Sequence, residues 1–409
     1  MKLFNLFLIT APLLLSGCQK DSEGREELPD AQPIELRAAE KVATDNDFSL
    51  DLFKHALSDA TNPNVFVSPL SVSMALNMTL NGAAGATAAE MLTALRAENY
   101  STARINDYSQ SLRQALIKVD PSTKLAIANS IWYRQGFPVK ASFIDVNKEY
   151  YDAEVKALDF SSSSAVKEIN GWCAKQTNDL ITQIVDQISP ETAMYLINAV
   201  YFKGIWAHEF DKSMTRDATF TTEAGDRRTV KMMMQKETFA YAANDYAAFL
   251  SLPYGNKAFE MIVMLPHSET ANELAERLDS ESWAAITEQM APATVRVQLP
   301  RFKAECEYDL RKNILPMMGM TIPFDAQRAD FSLISDVSLY ISAVIHKTFV
   351  EVNEEGTEAA AVTAVEMAPT SIGPTDEIAF VADKPFLFAI RERSTGVILF
   401  IGKMGAIAN

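Results

Sequence analysis

The sequence predicts an α+β fold, on three observations. Apolar residues recur at helical spacing through most of the first hundred residues after a short polar stretch. The nearly continuous apolar runs Met194 to Gly204 and Phe259 to Pro266 read as strands buried on both faces. The chain closes on two apolar segments, Phe386 to Ile390 and Val397 to Gly402, joined by Ser394-Thr395-Gly396 as a buried hairpin. A chain of 409 residues, 48% hydrophobic and 22% charged, can bury a sizeable core, and length alone suggests two or three domains.

Taken in order, the first helix opens at the cap Thr44-Asp45-Asn46, with Phe48, Leu52 and Ala56 on one face. Asn64 to Val67 is a strand that Pro69 turns into a helix capped by Ser68 or Ser71 and running to Gly82. After the break at Ala83 to Thr87 a helix restarts, with Met91, Leu92 and Leu95 apolar. Leu125, Ile127, Asn129, Ile131 and Tyr133 alternate as a strand, and Tyr150 to Val155 is a helix leaving into another strand. The serines 161 to 164 read as a loop, and Ile169-Asn170-Gly171-Trp172 opens a helix with Trp172 as a core anchor. Phe220 and Val230 to Met234 flank Gly225 as a hairpin, Trp283 lies on an amphipathic helix, and Val295, Val297 and Leu299 alternate before a short helix near Leu310 to Leu315 that ends at Gly319. Val344 to Asn353 is a long strand.

The N-terminus has its own chemistry. Lys2, the apolar run Leu3 to Leu15 and Leu15-Ser16-Gly17-Cys18 form a pattern too short for a stable membrane span. It resembles a bacterial lipoprotein signal, in which residues 1–17 are removed and Cys18 is lipidated. The alternative is an ordinary secretory peptide with an incidental cysteine. Residues 18–43 then form a polar tether. The expected location is the cell envelope, anchored by lipid at the outer membrane or cell surface, or outside the cell after secretion. Cys173 and Cys306 read as buried thiols rather than a disulfide framework.

A net charge of −16 leaves no basic surface for nucleic acid, and heparin is not expected as a partner. No GxSxG, HExxH, GxGxxG or Walker loop occurs, the four histidines have no metal spacing, and no cofactor is implied. The chain is not expected to be an enzyme. His346, inside a strand pattern, reads as a hydrogen-bonded core histidine before a catalytic one. Asn198, alone among apolar residues, needs partners in a buried polar network or a site.

The stretch Glu354 to Ser371 stands apart. At a period of two, one face carries Thr357, Ala359, Ala361, Thr363, Val365 and Met367, with no charge and no proline. Such a face suits a strand slotted between two others, although five alanines also fit a flexible linker.

Several motifs, in order, resemble those of the serpin family: Asn64 to Ser71 with Gly82 to Thr87, Asn198 to Trp206, Ala329 to Ser332, His346-Lys347, Glu351 to Ala361 and Lys384 to Phe388. The resemblance covers about Thr44 to Met404 and implies one domain, residues 44–406, of three β-sheets and about nine helices with an exposed reactive-centre loop. It implies a buried polar shutter of Ser68, Ser71, Asn198 and His346. It also implies a breach, where the loop enters the main sheet, formed by Trp206, Arg301 and Glu354 with an ion pair between the last two. The loop hinge is then Gly356, Thr357, Glu358, Ala359, Ala360 and Ala361. By family spacing the reactive bond joins Thr370 to Ser371, preceded by Met367, Ala368 and Pro369, small or unbranched bait for an elastase-like or subtilisin-like serine protease. The implied partner is that protease, and the implied state a monomer. A noninhibitory serpin-fold surface lipoprotein, acting as a binding or structural module, is the other reading.

Overall fold

The computed structural model describes residues 28–189, 192–357 and 377–407. Among them nine α-helices follow in chain order: α1 Lys41–Asp59, α2 Pro69–Leu80, α3 Gly85–Ala94, α4 Thr102–Lys118, α5 Ala141–Tyr151, α6 Ser163–Gln176, α7 Ala271–Glu276, α8 Ser280–Gln289 and α9 Ile314–Met317. The strands are β1 Val65–Val67, β2 Lys124–Arg134, β3 Glu154–Leu158, β4 Met194–Ile205, β5 Arg216–Thr221, β6 Arg227–Ala243, β7 Ala247–Pro253 and β8 Phe259–Pro266. They continue as β9 Ala291–Pro300, β10 Phe302–Asp309, β11 Ile345–Asn353, β12 Gly356–Thr357, β13 Ile378–Val381, β14 Phe386–Glu392 and β15 Ile398–Met404.

Nine of these strands join in the order β1-β15-β14-β8-β7-β6-β9-β13, with β5 on the side of β6. The resemblance implies three sheets and the described strands join in two, because the long β6 pairs with β5 and β9 over most of its length and with β7 at its last three residues. The ladder therefore runs on without a break. Six strands form the other sheet, in the order β10-β11-β12-β4-β2-β3. The core centres on the closing hairpin, where every residue of β14 and β15 is buried. Phe66 stacks on Phe388 and Phe400 at 5.5 and 5.4 Å, tying β1 to that hairpin.

Several boundaries differ from the sequence reading: Ile169 to Trp172 lie inside α6 rather than opening it, and α9 starts at Ile314 rather than near Leu310. Helix α1 begins at Lys41, ahead of the predicted cap, because the Lys41 ammonium is buried, pairs with Asp45 one turn on and lies 5.1 Å from the Tyr108 ring centre. The predicted tether to residue 43 is bound to the domain from Asp30 onward: Asp30 pairs with Lys257 at 2.8 Å, Ala31 N–H donates to the Asn256 carbonyl at 2.9 Å, and Arg37 pairs with Asp107 at 3.0 Å. The serine run is half helix, since Ser162 caps α6 and Ser163 starts it. Pro69 does turn β1 into α2, with the Ser68 hydroxyl accepting from Ser71 N–H.

Candidate functional site: a gap in the six-stranded sheet

Strands β4 and β11 are linked, among the described residues, only at one end. There β12 lies between them, Gly356 and Thr357 facing Ile205 and Gly204 on one side and Asn353 and Val352 on the other. Beyond Thr357 the facing edges line two narrow clefts. Val200, Phe202, Phe349 and Thr357 line the first, and Ser68, Ser71, Asn198 and His346 the second. Ile181 touches both, from the segment that follows α6. The open edge explains a departure from expectation: β4, predicted buried on both faces, holds Asn198 and Val200 only half-buried, and β11 alternates between buried and partly exposed.

In the second cleft Ser68 N–H donates to His346 Nε2 at 3.0 Å, and the Ser68 hydroxyl donates to the Leu399 carbonyl at 2.9 Å. The Ser71 hydroxyl reaches the Asn198 carbonyl at 3.5 Å. Burial drives the His346 pKa down to about 4, so the ring is neutral, and with Nε2 accepting, the proton sits on Nδ1. Asn198 donates through Nδ2 to Asn129 Oδ1 at 2.7 Å, directly across the β2–β4 ladder, while its own Oδ1 is buried without a partner. Asn129 donates in turn to the Tyr151 carbonyl.

At the β12 end, Arg301 donates through Nε and Nη2 to Glu354 Oε1 at 2.9 and 2.7 Å. Glu354 is buried whereas Arg301 is 44% exposed, so only one partner is fully desolvated. Burial opposes ionisation of Glu354, but hydrogen bonds from Arg301 and Thr215 outweigh it and hold the carboxyl below its ordinary range. Trp206 donates through Nε1 to the Asn353 carbonyl at 2.9 Å and stacks on Tyr254 at 4.4 Å. Lys212 pairs with Glu355.

Ser68, Ser71, Asn198 and His346 thus converge on one cleft, and Trp206, Arg301 and Glu354 on the turn that leads into β12. Of the hinge, Gly356 and Thr357 lie in β12. Glu358, Ala359, Ala360 and Ala361 fall outside the described residues, as do Met367, Ala368, Pro369, Thr370, Ser371 and Cys18. Sequence reading missed Asn129 and Tyr254. Asn129 carried the signal that marked Asn198, an amide at an apolar position of a strand pattern. Tyr254, wholly buried, needed a hydroxyl partner, and Thr357 supplies it.

Two packed sheets, a set of covering helices and a polar-lined gap beside a chain that enters it define a class of proteins. The family model described as Serpin (serine protease inhibitor) matches residues 43–406, and the chain belongs to that family. Serpin B6 of Pongo abelii is 38% identical over 369 residues, covering 88% of this chain and 97% of its own. Leukocyte elastase inhibitor of Xenopus laevis is 38% identical over 369 residues, covering 87% and 96%. The crystal structure of the thermophilic serpin Tengpin in its native state superposes with a TM-score of 0.83 at 34% identity, over 92% of this chain and 97% of that one.

Proposed function

We propose that this serpin is a suicide-substrate inhibitor of serine endopeptidases with elastase-like or subtilisin-like preference. The observation that carries the reading is β12: the chain leaving Asn353 turns back, and Gly356 and Thr357 pair on both sides with β4 and β11 as the first two residues of a strand between them. The protease serine oxygen adds to the Thr370 carbonyl carbon, the bond to Ser371 nitrogen breaks and that amine leaves with a proton, giving an acyl-enzyme ester. The freed loop then extends β12 between β4 and β11, completes both ladders and carries the protease away before water deacylates it. The uncharged face from Thr357 to Met367 suits a strand buried between β4 and β11, where a charge without a partner would be costly, and the relative named as an elastase inhibitor agrees with the bait residues. Cys18 is proposed as a lipid anchor holding the inhibitor at the cell envelope.

Incubation with pancreatic elastase or subtilisin should give an SDS-resistant complex of the summed masses. Cleavage at 367–371 with no complex would favour the noninhibitory reading. Thr357, 3% exposed, has no room for a charge, so Thr357→Arg is expected to turn inhibitor into substrate, with complex falling below about a tenth of wild type. Full trapping by that variant would sink the insertion mechanism.

A further inference from the structure

We infer that Tyr254 is a positioning residue that latches the first two loop residues into the sheet, so that insertion starts from a strand already begun. The inference rests on the inhibitory reading for its consequence, but not for the latch itself. Tyr254 follows β7, is wholly buried, and its hydroxyl meets the Thr357 hydroxyl at 2.6 Å. Thr357 is equally secluded, so neither hydroxyl has water as a substitute partner. Burial keeps the Tyr254 phenol protonated far above any physiological pH, and the latch is therefore a neutral hydrogen bond that salt and pH leave alone.

Two glycines clear the space for it. Gly356 has φ +153°, and a Cβ there would lie 2.0 Å from the Gly204 carbonyl oxygen. A Cβ on Gly204 would lie 2.7 Å from the Tyr254 ring. The hinge backbone, the β4 backbone and the Tyr254 ring are thus stacked at distances that only these two residues allow. Tyr254 also stacks on Trp206, whose indole N–H holds the Asn353 carbonyl on the strand leading into the hinge. Isolated strand pairing has an unfavourable first step, because loop closure precedes the contacts that reward it. With β12 already in register that step is done, and each later residue adds to an existing ladder. Trapping is a race between insertion and deacylation, so holding β12 in place raises the fraction of encounters that end in complex.

The test compares wild type, Tyr254→Phe, Thr357→Val and the double variant. Hydrogen exchange at the β12 amides is expected to be about tenfold faster in each single variant, which strands one buried hydroxyl. It should return toward wild type in the double variant, where an apolar pair replaces the polar one. Trp206 emission should shift to the red in Tyr254→Phe as the hinge loosens. With elastase, the ratio of complex to cleaved product should fall several-fold in Tyr254→Phe and recover in the double variant, a pattern that a general loss of stability would not give. Unchanged β12 exchange in Tyr254→Phe, or losses that simply add in the double variant, would overturn the latch. If wild type forms no complex, the inhibitory reading fails while the exchange series still answers for the latch.

Discussion

Two hairpin-like neighbourhoods of this chain are made of similar residues and finished differently. Strands β14 and β8 are each paired on both sides, nearly every side chain around them is buried, and even a charge is accommodated. Glu260 accepts from Arg391 at 2.6 Å and from the Ser251 hydroxyl, so a desolvated carboxylate is fully partnered. Around β4 and β11 the described residues are paired with each other only through two residues of β12, Asn198 keeps an orphan oxygen, and burial alternates. A protein that filled both regions equally would have nothing left to gain by moving a strand. Concentrating completion in one sheet gives a rigid frame against which the other can change.

The sharpest way to break that contrast is to damage the finished side. Phe388 is wholly buried, stacked on Phe66 and 5.1 Å from the Phe302 ring, and Gly402 has no side chain because a Cβ would lie 2.9 Å from the Phe388 ring. Phe388→Ala is expected to destabilise by about 3–5 kcal/mol, read from the denaturant midpoint. The same truncation at Phe349, which lines the gap and is only half-buried, should lose less. Equal losses would mean that the gap is packed as tightly as the frame.

How much of this was legible in the sequence follows the same division. The closing hairpin, β8 and the β1 to α2 turn were readable because their patterns are local: unbroken apolar runs, or a proline placed after a serine cap. Strand β10 was not, although Phe302, Ala304 and Cys306 alternate with Lys303, Glu305 and Glu307, because lysine, glutamate and alanine have little strand preference of their own and it is pairing with β11 that fixes the segment. The tether boundary was missed because its anchors, Asn256 and Asp107, lie far along the chain. Asn198 and His346 stood out as polar residues in apolar strands, yet periodicity could not bring them to one cleft; the ordered motifs of the family did. Tyr254 and Asn129 needed coordinates, because the need for a partner is visible in sequence and its identity is not.

A smaller effect separates the two regions by pH. His346 is, among the described residues, the histidine that lines the gap. Lys347 beside it is held by Glu307 at 2.9 Å, and the Tyr308 ring lies 6.3 Å away. Its pKa is about 4 in the fold, lowered by burial, against about 6.5 in an unfolded chain. The unfolded state therefore takes up the proton first as pH falls. Stability is fully present above about pH 6.5, declines below it, and is lower by about 3 kcal/mol near pH 4. The physical event is the addition of an N–H at Nε2, where the Ser68 N–H already points, so protonation sets donor against donor at the bottom of the gap. Denaturant midpoints measured from pH 7.5 to 4.5 should fall in wild type and fall less in His346→Gln, which cannot take up the proton. Phe388→Ala should instead sit lower by the same amount at every pH. A decline as steep in His346→Gln as in wild type would move the pH sensitivity out of the gap and onto the carboxylates of the frame.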